Sequence, residues 1–367
     1  MIAESLSLKN YRNYESLNLD LSDGINIFYG DNAQGKTNIL ESLYVCSTTR
    51  SHRGSRDKEM IRFESDEAHI KLIIRKKNVP HKIDIHLRNS KAKGVAIDGI
   101  PVKKASDLFG YVNIIFFSPE DLTIIKRGPS ERRKFIDSEL CQVNKVYMKQ
   151  LLEYHKVLEQ RNALLKELSY SPSAHSLSGT LDVWDAQMVK YGTYIIGERR
   201  KFIRQLDQII KEKHSSLTGG KEKIDLVYEP DTDSERFLDC LFINREKDIR
   251  MKTSSMGPHR DDMMVKVNGT DIRKYGSQGQ QRTAALSMKL AEIEIVKNIV
   301  KDYPILLLDD VLSELDSSRQ KFLMESIHDI QTFVTCTGMD REMFEDFPVS
   351  KIYQVVQGSV VRQEEIG

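Results

Sequence analysis

The chain has 367 residues, 40% hydrophobic and 30% charged, enough for two or three lobes with ample core. Its 55 Lys and Arg against 54 Asp and Glu give a net charge of +1, which excludes a global basic field and leaves room only for local nucleic-acid patches. Cys46, Cys141, Cys240 and Cys336 are widely spaced, with no C-x-x-C pair, so neither a cysteine zinc site nor a disulfide framework is expected and a reducing cytoplasm fits. The N-terminal "MIAESLSLKNYRNYESL" lacks an apolar core, and the run Ile305 to Leu308 is too short to span a bilayer, so no membrane association is expected.

From the N-terminus to the buried run "YVNIIFF" the chain reads as strands and short turns, including "SLSLKNY", "AHIKLIIRKK" and "HKIDIHL". Among them "GINIFYG" leads into "GDNAQGKTNILESLYV", where Gly30, Gly35, Lys36 and Thr37 match G-x-x-x-x-G-K-[ST] opening a helix. The backbone from Gly30 through Asp31, Asn32, Ala33, Gln34 and Gly35 is predicted to wrap the phosphates of ATP. Lys36 would reach the β- and γ-phosphates, Thr37 would offer its hydroxyl to Mg²⁺, and Asn38, next in the first helical turn, would also bind the nucleotide.

From Ser130 to about Lys213 the pattern becomes helical. Leu151, Leu158 and Leu165 recur every seven residues, as do Leu181, Met188, Ile195, Phe202 and Ile209. A helical hairpin over about 145–213 is predicted, either a packed bundle or a short coiled coil, with "SYSPSAHSLSGT" as its exposed tip. Three basic clusters stand out: Arg50, Arg53, Arg56 and Lys58; Lys126, Arg127, Arg132, Arg133 and Lys134; and Arg199, Arg200, Lys201 and Arg204. They suit contacts to a DNA backbone, and equally suit a solvated face. His259 and Arg260 in "GPHRDD" offer either a DNA or nucleotide contact or a turn salt-bridged to Asp261 and Asp262.

After the strand-like "KIDLVYEP" and "MMVKVNG" comes "YGSQGQQRTAALSM". Ser277 and Gln280 fit a capping box, and Ala284, Ala285, Met288, Ala291, Ile295 and Val296 continue as an apolar face. A cap needs one hydroxyl; the glycine-flanked polar rim before this helix suits an anion as well. The strand "ILLL" then delivers Asp309 as a Mg²⁺ ligand and Asp310 as a water-activating carboxylate.

Most of the chain lies between the phosphate loop and Asp309, unlike simple kinases and small GTPases. The order of phosphate loop, helical insertion, signature loop, acidic strand and "SELD" resembles that of ABC-type ATPases. The fold class expected is α/β, a P-loop NTPase of the ABC/SMC-head type with an inserted helical lobe. Residues 1–125 plus 300–367 would form the ATPase lobe, and 126–299 the lobe with the hairpin and signature loop. The resemblance implies that Ser277 and the amides of Gly279 and Gln280 bind the γ-phosphate on a symmetry-related protomer. Asp316 would shape the same interface, giving an ATP-dependent homodimer.

"LSLKNYRNYESL", "GDNAQGKTNILES", "FFSPEDLTIIKRGPSERRKFID", "GPHRDD" and "SQGQQRTAALSMKLAE" followed by "LLLDDVLSELD" resemble the RecF family of bacterial recombination mediators over almost the whole chain. That resemblance implies a cytoplasmic DNA-repair ATPase with an SMC-like head and no long coiled coil. Such a protein binds double-stranded DNA and gapped junctions as an ATP-held dimer, works with RecO and RecR to load RecA, and supports fork recovery and the SOS response. By likeness to SMC-like heads, Arg12 and Asn13 approach the nucleotide, unless they form a plain surface turn.

The chain departs from the ABC pattern in three places. Asp310 stands where many such enzymes have Glu, which predicts slow hydrolysis. "QTFVTCTG" lacks the switch histidine, leaving Thr335 or Thr337. "FFSPEDL" lacks the usual glutamine and offers only Glu120. Among rivals, an SMC tether would need far more heptads, a transporter motor would need a membrane-coupling surface, and a small-molecule kinase would leave Ser277 to Gln281 without purpose.

Overall fold

The structure, a computed structural model, describes residues 1–170, 178–338 and 349–365; residues 171–177 of the expected hairpin tip lie outside the described residues. In chain order, β1 (Ile2–Tyr11), β2 (Tyr14–Asp20) and β3 (Ile25–Tyr29) lead to α1 (Lys36–Thr48). They are followed by β4 (Glu67–Lys76), β5 (Val79–Arg88), β6 (Gly94–Ile97), β7 (Ile100–Pro101) and β8 (Ile114–Phe117). The middle of the chain holds α2 (Pro129–Val143), α3 (Lys145–Tyr170), α4 (Ser178–Thr218), β9 (Ile224–Glu229), α5 (Phe237–Ile243) and α6 (Arg245–Met251). It continues through β10 (Asp262–Val267), β11 (Thr270–Asp271), α7 (Ile272–Tyr275) and α8 (Gln278–Val300). The last part holds β12 (Ile305–Asp309), α9 (Ser317–Ser326), β13 (Thr332–Cys336), β14 (Val349–Val356) and β15 (Ser359–Glu365).

The chain divides into two compact units, Met1–Leu122 with Glu292–Gly367, and Thr123–Ala291. The second division falls inside α8, which runs on to Val300 before Lys301 adopts a left-handed φ of 58°.

The first unit contains two six-stranded sheets, ordered β2-β1-β4-β5-β6-β7 and β15-β14-β3-β13-β12-β8. In the second, β14, β3, β13, β12 and β8 run parallel. The strands β3 and β12, and β8 at the sheet edge, are buried almost throughout, as parallel strands covered on both faces are, whereas β4 alternates buried and exposed residues as an antiparallel strand with one wet face. Ile39, Leu40, Leu43, Val45 and Cys46 of α1 share one core with Leu6, Ile70 and Ile85 of the first sheet and Phe28, Leu307 and Phe333 of the second. That burial sets the position of α1, and hence of the loop that feeds it.

In the second unit β11, β10 and β9 form a small antiparallel sheet beside the helices. The helix α4 has 41 residues, a span of roughly 60 Å. Leu181, Met188, Ile195 and Phe202 are buried as their spacing predicts, but at the end Ile210 is buried and Ile209 only partly so. A strict seven-residue repeat drifts on a helix of 3.6 residues per turn.

On α3 the buried line runs through Tyr147, Tyr154 and Arg161, with Leu151 and Leu158 only half-buried. Arg161, fully buried, donates to Asp185 (2.6 Å), Asp248 (2.7 Å) and the Ser254 hydroxyl (2.9 Å). These bonds tie α3 to α4 and α6, so the hairpin is part of a packed bundle and not a free coiled coil. Among the described residues no helix is long and apolar enough to cross a membrane.

Candidate nucleotide-binding site

The phosphate loop is fixed at two positions that only glycine can fill. Gly30 has φ 147°, and a Cβ there would sit 2.3 Å from the Val355 carbonyl oxygen; Gly35 has φ 117°, and its Cβ would meet Asn13 Nδ2 at 2.6 Å and the Tyr14 hydroxyl at 2.8 Å. Between them Asp31, Asn32 and Ala33 are exposed, Ala33 with a left-handed φ of 64°. Gly35 caps α1 without any side-chain cap bond. The first helical amides are thus held only by backbone, an arrangement suited to an anion.

The loop is pinned from behind. Asn13 Nδ2 donates to the Gln34 carbonyl (2.9 Å), Asn38 Nδ2 donates to Asn13 Oδ1 (2.8 Å), and the Tyr14 hydroxyl donates to the Gly35 carbonyl (3.0 Å). The β14–β15 turn adds the Gly358 amide to the Gln34 carbonyl (3.0 Å) and the Gln357 amide to Gln34 Oε1 (2.6 Å). Asn13 therefore lies against the loop. Arg12 does not turn toward it: its guanidinium donates to both oxygens of Glu41 (2.7 and 2.6 Å), to the Glu59 carbonyl (2.6 Å) and to Ser55 (2.8 Å). Burial alone would raise the fully buried Glu41, but the bonds from Arg12 and Ser51 hold it below the usual carboxylate range. In this structure Arg12 locks the β1–β2 turn to α1 through Glu41.

Lys36 Nζ reaches back across the loop to the carbonyls of Gly30 (2.5 Å) and Asp31 (2.7 Å). Burial lowers its pKa, opposed first by the charge of Asp310 and then by Cys336 and Asp309. The Thr37 hydroxyl donates to Asp309 Oδ1 at 2.8 Å. Two neighbouring ligands of an octahedral Mg²⁺ at about 2.1 Å lie about 3.0 Å apart, so this pair fits the ion with little movement. Thr335 donates to the same Asp309 oxygen (2.8 Å) and accepts from the Asp310 amide (3.0 Å), while Thr337 is exposed. Burial raises the Asp309 carboxyl against these two hydroxyl bonds. Asp310 takes a left-handed φ of 54°, the kind of unusual backbone that functional sites retain.

The signature region lies in the second unit. Ser277 Oγ accepts from the Gln280 amide (3.2 Å) and Gln280 Oε1 accepts from the Ser277 amide (3.1 Å), the capping box read from sequence. Ser277, Gln278 and Gly279 are exposed, and Gln280 Nε2 also holds Glu222 (2.9 Å). Asp316, in the first unit, caps α9 by accepting from the Arg319 amide (3.0 Å).

The basic clusters separate by burial. Arg50, Arg53, Arg56, Arg127 and Arg200 are exposed. Arg132 and Arg199 are not available to DNA. Arg132, 2% exposed, grips Asp262 with two bonds (2.7 and 2.9 Å), and Arg199, also 2% exposed, holds Asp137 (2.8 Å) and Asp261 (2.9 Å). Arg133 is half-buried and donates to the Asp261 carbonyl (2.7 Å). His259 is bonded at Nδ1 to the Tyr154 hydroxyl (2.7 Å) and at Nε2 to the Ser254 carbonyl (3.0 Å), and burial lowers its pKa to about 4. It is a neutral internal tie, neither a salt-bridged turn nor a DNA contact. Glu120 accepts from the Ser118 hydroxyl (3.0 Å) within its own turn.

A family model described as the RecF/RecN/SMC N terminal domain matches residues 2–362. A protein of Lachnospira eligens known as DNA replication and repair protein RecF is 56% identical over 363 residues, 99% of this chain and 100% of its own. The chain belongs to the RecF family. A solved structure of the recombination mediator protein RecF-ATP in the RecFOR pathway is 31% identical, with a TM-score of 0.90 over 100% of this chain and 98% of that one. The Smc head domain of Pyrococcus furiosus, 17% identical over 99% of this chain and 96% of its own, shares the fold at a TM-score of 0.57. Members of the RecF family are thus SMC-like, and the α/β ABC/SMC-head fold read from the motif order is the one observed. Tyr14, Gln357 and Gly358, which brace the loop through Gly35 and Gln34, are not among the site residues expected from sequence; their contacts identify them.

Proposed function

We propose that this RecF-family chain is an ATP-gated DNA clamp of replication and repair. It binds ATP with Mg²⁺ on the phosphate loop, pairs with a second copy while the γ-phosphate is intact, and lets go after slow hydrolysis. The observation that carries this reading is the Thr37–Asp309 pair at 2.8 Å beside the Lys36 loop. The solved RecF-ATP relative supports the same nucleotide here. Magnesium, when bound, neutralises charge on the β- and γ-phosphates. Lys36 exchanges the carbonyls of Gly30 and Asp31 for phosphate oxygens, Thr335 keeps the Asp309 carboxylate oriented, and Asp310 takes a proton from the attacking water. Asp is one methylene shorter than the Glu common in ABC enzymes, which favours slow turnover.

Ser277, with the Gly279 and Gln280 amides, binds the γ-phosphate held by the partner protomer, and Asp316 supports that interface. Arg50, Arg53, Arg56, Arg127, Arg133 and Arg200 supply contacts to double-stranded or gapped DNA, making the enzyme a weak DNA-dependent ATPase. RecO and RecR are its partners in loading RecA, in the cytoplasm, with a role in the SOS response.

The test is solution mass by light scattering with ADP, with ATP, and with ATP after Ser277→Arg. A dimer with ATP alone, lost in the variant, is the expected result. A monomer throughout, or a dimer untouched by Ser277→Arg, would remove Ser277 from the interface.

A further inference from the structure

We propose that Glu67, His69 and His86 form a surface site for a zinc-class transition-metal ion. Residues two apart on a strand point to one face, and the alternation of β4 puts Glu67 and His69 together on its exposed side. The register pairs His69 directly with His86 of β5, and their rings stack with centroids 3.9 Å apart and planes at 22°. Glu67 lies against both: one carboxylate oxygen is 2.8 Å from His86 Nε2, and the other is 3.8 Å from His69 Nε2. One donor atom from each of the three side chains lies within 4.8 Å of the others.

Glu67 is in hydrogen-bond range of His86 Nε2 but its other oxygen, 3.8 Å from His69 Nε2, is not. A single ion at about 2.0–2.1 Å from each donor engages all three, and half-exposed side chains on a paired ladder need only small rotations to close on it. Two imidazoles and one carboxylate are a donor set for zinc, copper, nickel or cobalt, whereas magnesium and calcium prefer all-oxygen sites such as Thr37 with Asp309. Three protein ligands leave a position open for water or for a donor from outside the chain. The ion would clasp β4 to β5, a pair whose inner face packs in the same core as α1.

The test uses the full chain with magnesium in excess. Zinc is titrated against a chromophoric chelator for the wild type and for Glu67→Gln, His69→Gln and His86→Gln, each checked for fold by circular dichroism. The expected result is one zinc site in the wild type, weakened at least about tenfold in every variant, with a zinc-dependent rise in melting temperature only in the wild type. Equal zinc binding by wild type and variants, no zinc binding by the wild type, or a loss confined to a single variant would overturn the proposal.

Discussion

Thr335 is the residue whose role the fold decides most sharply. Its hydroxyl joins the Asp309 carboxylate to the Asp310 amide because β12 and β13 run parallel with Asp309 opposite Thr335. No local spacing distinguishes it from Thr337 two residues on, since the choice depends on inter-strand register. Thr335→Val keeps the shape and deletes both bonds, a loss of about 1–2 kcal/mol of orientation. ATP hydrolysis, followed as phosphate release at saturating magnesium and ATP, is expected to fall about tenfold. An unchanged rate would show that Asp309 needs no orienting hydroxyl. Lys36, Thr37 and Asp309, by contrast, were legible from sequence because each is fixed by a motif contiguous with its own strand or helix.

At the scale of elements, the helices of the second unit are joined through buried arginines. Arg199 and Arg200 are neighbours in sequence, yet one is 2% exposed and the other lies at the surface, because successive helical residues point about 100° apart. In the sequence they read as one basic cluster. Arg199→Met would leave the buried Asp261 carboxylate, 1% exposed, without its cation though still bonded by Tyr228 and the Asp231 amide, and is expected to cost about 3–5 kcal/mol. Arg200→Met should change stability by less than about 0.5 kcal/mol. Urea unfolding of both variants decides; equal midpoints would mean that the Arg199 network is dispensable. The same blindness to burial hid the Tyr147, Tyr154 and Arg161 line of α3, since Tyr and Arg do not score as apolar in a heptad count.

For the molecule as a whole, a net charge of +1 gives no bulk attraction for DNA, so on the proposed function affinity would come from local contacts such as the exposed arginines. Binding should weaken steeply with salt and vary little with duplex sequence. Arg50→Ala, Arg127→Ala and Arg200→Ala are each expected to lower the slope of log affinity against log salt by about one where that side chain contacts a phosphate. Fluorescence anisotropy with duplexes of different sequence at several salt concentrations measures this. A strong sequence preference at constant salt, or slopes unaltered in all three variants, would point away from backbone contacts by these clusters.

The sequence by itself determined the phosphate loop, the acidic strand, the capped helix after Ser277 and the order that makes this an SMC-like head. Each of these is a short-range pattern whose chemistry requires particular residues at fixed spacing. Only the tertiary structure decided that Arg12 belongs to Glu41, that Arg132 and Arg199 lie inside, that Gln357 and Gly358 brace the phosphate loop, and that His69 meets His86. Those contacts join residues distant in the chain through strand register and burial, and neither quantity is written in any local stretch of sequence.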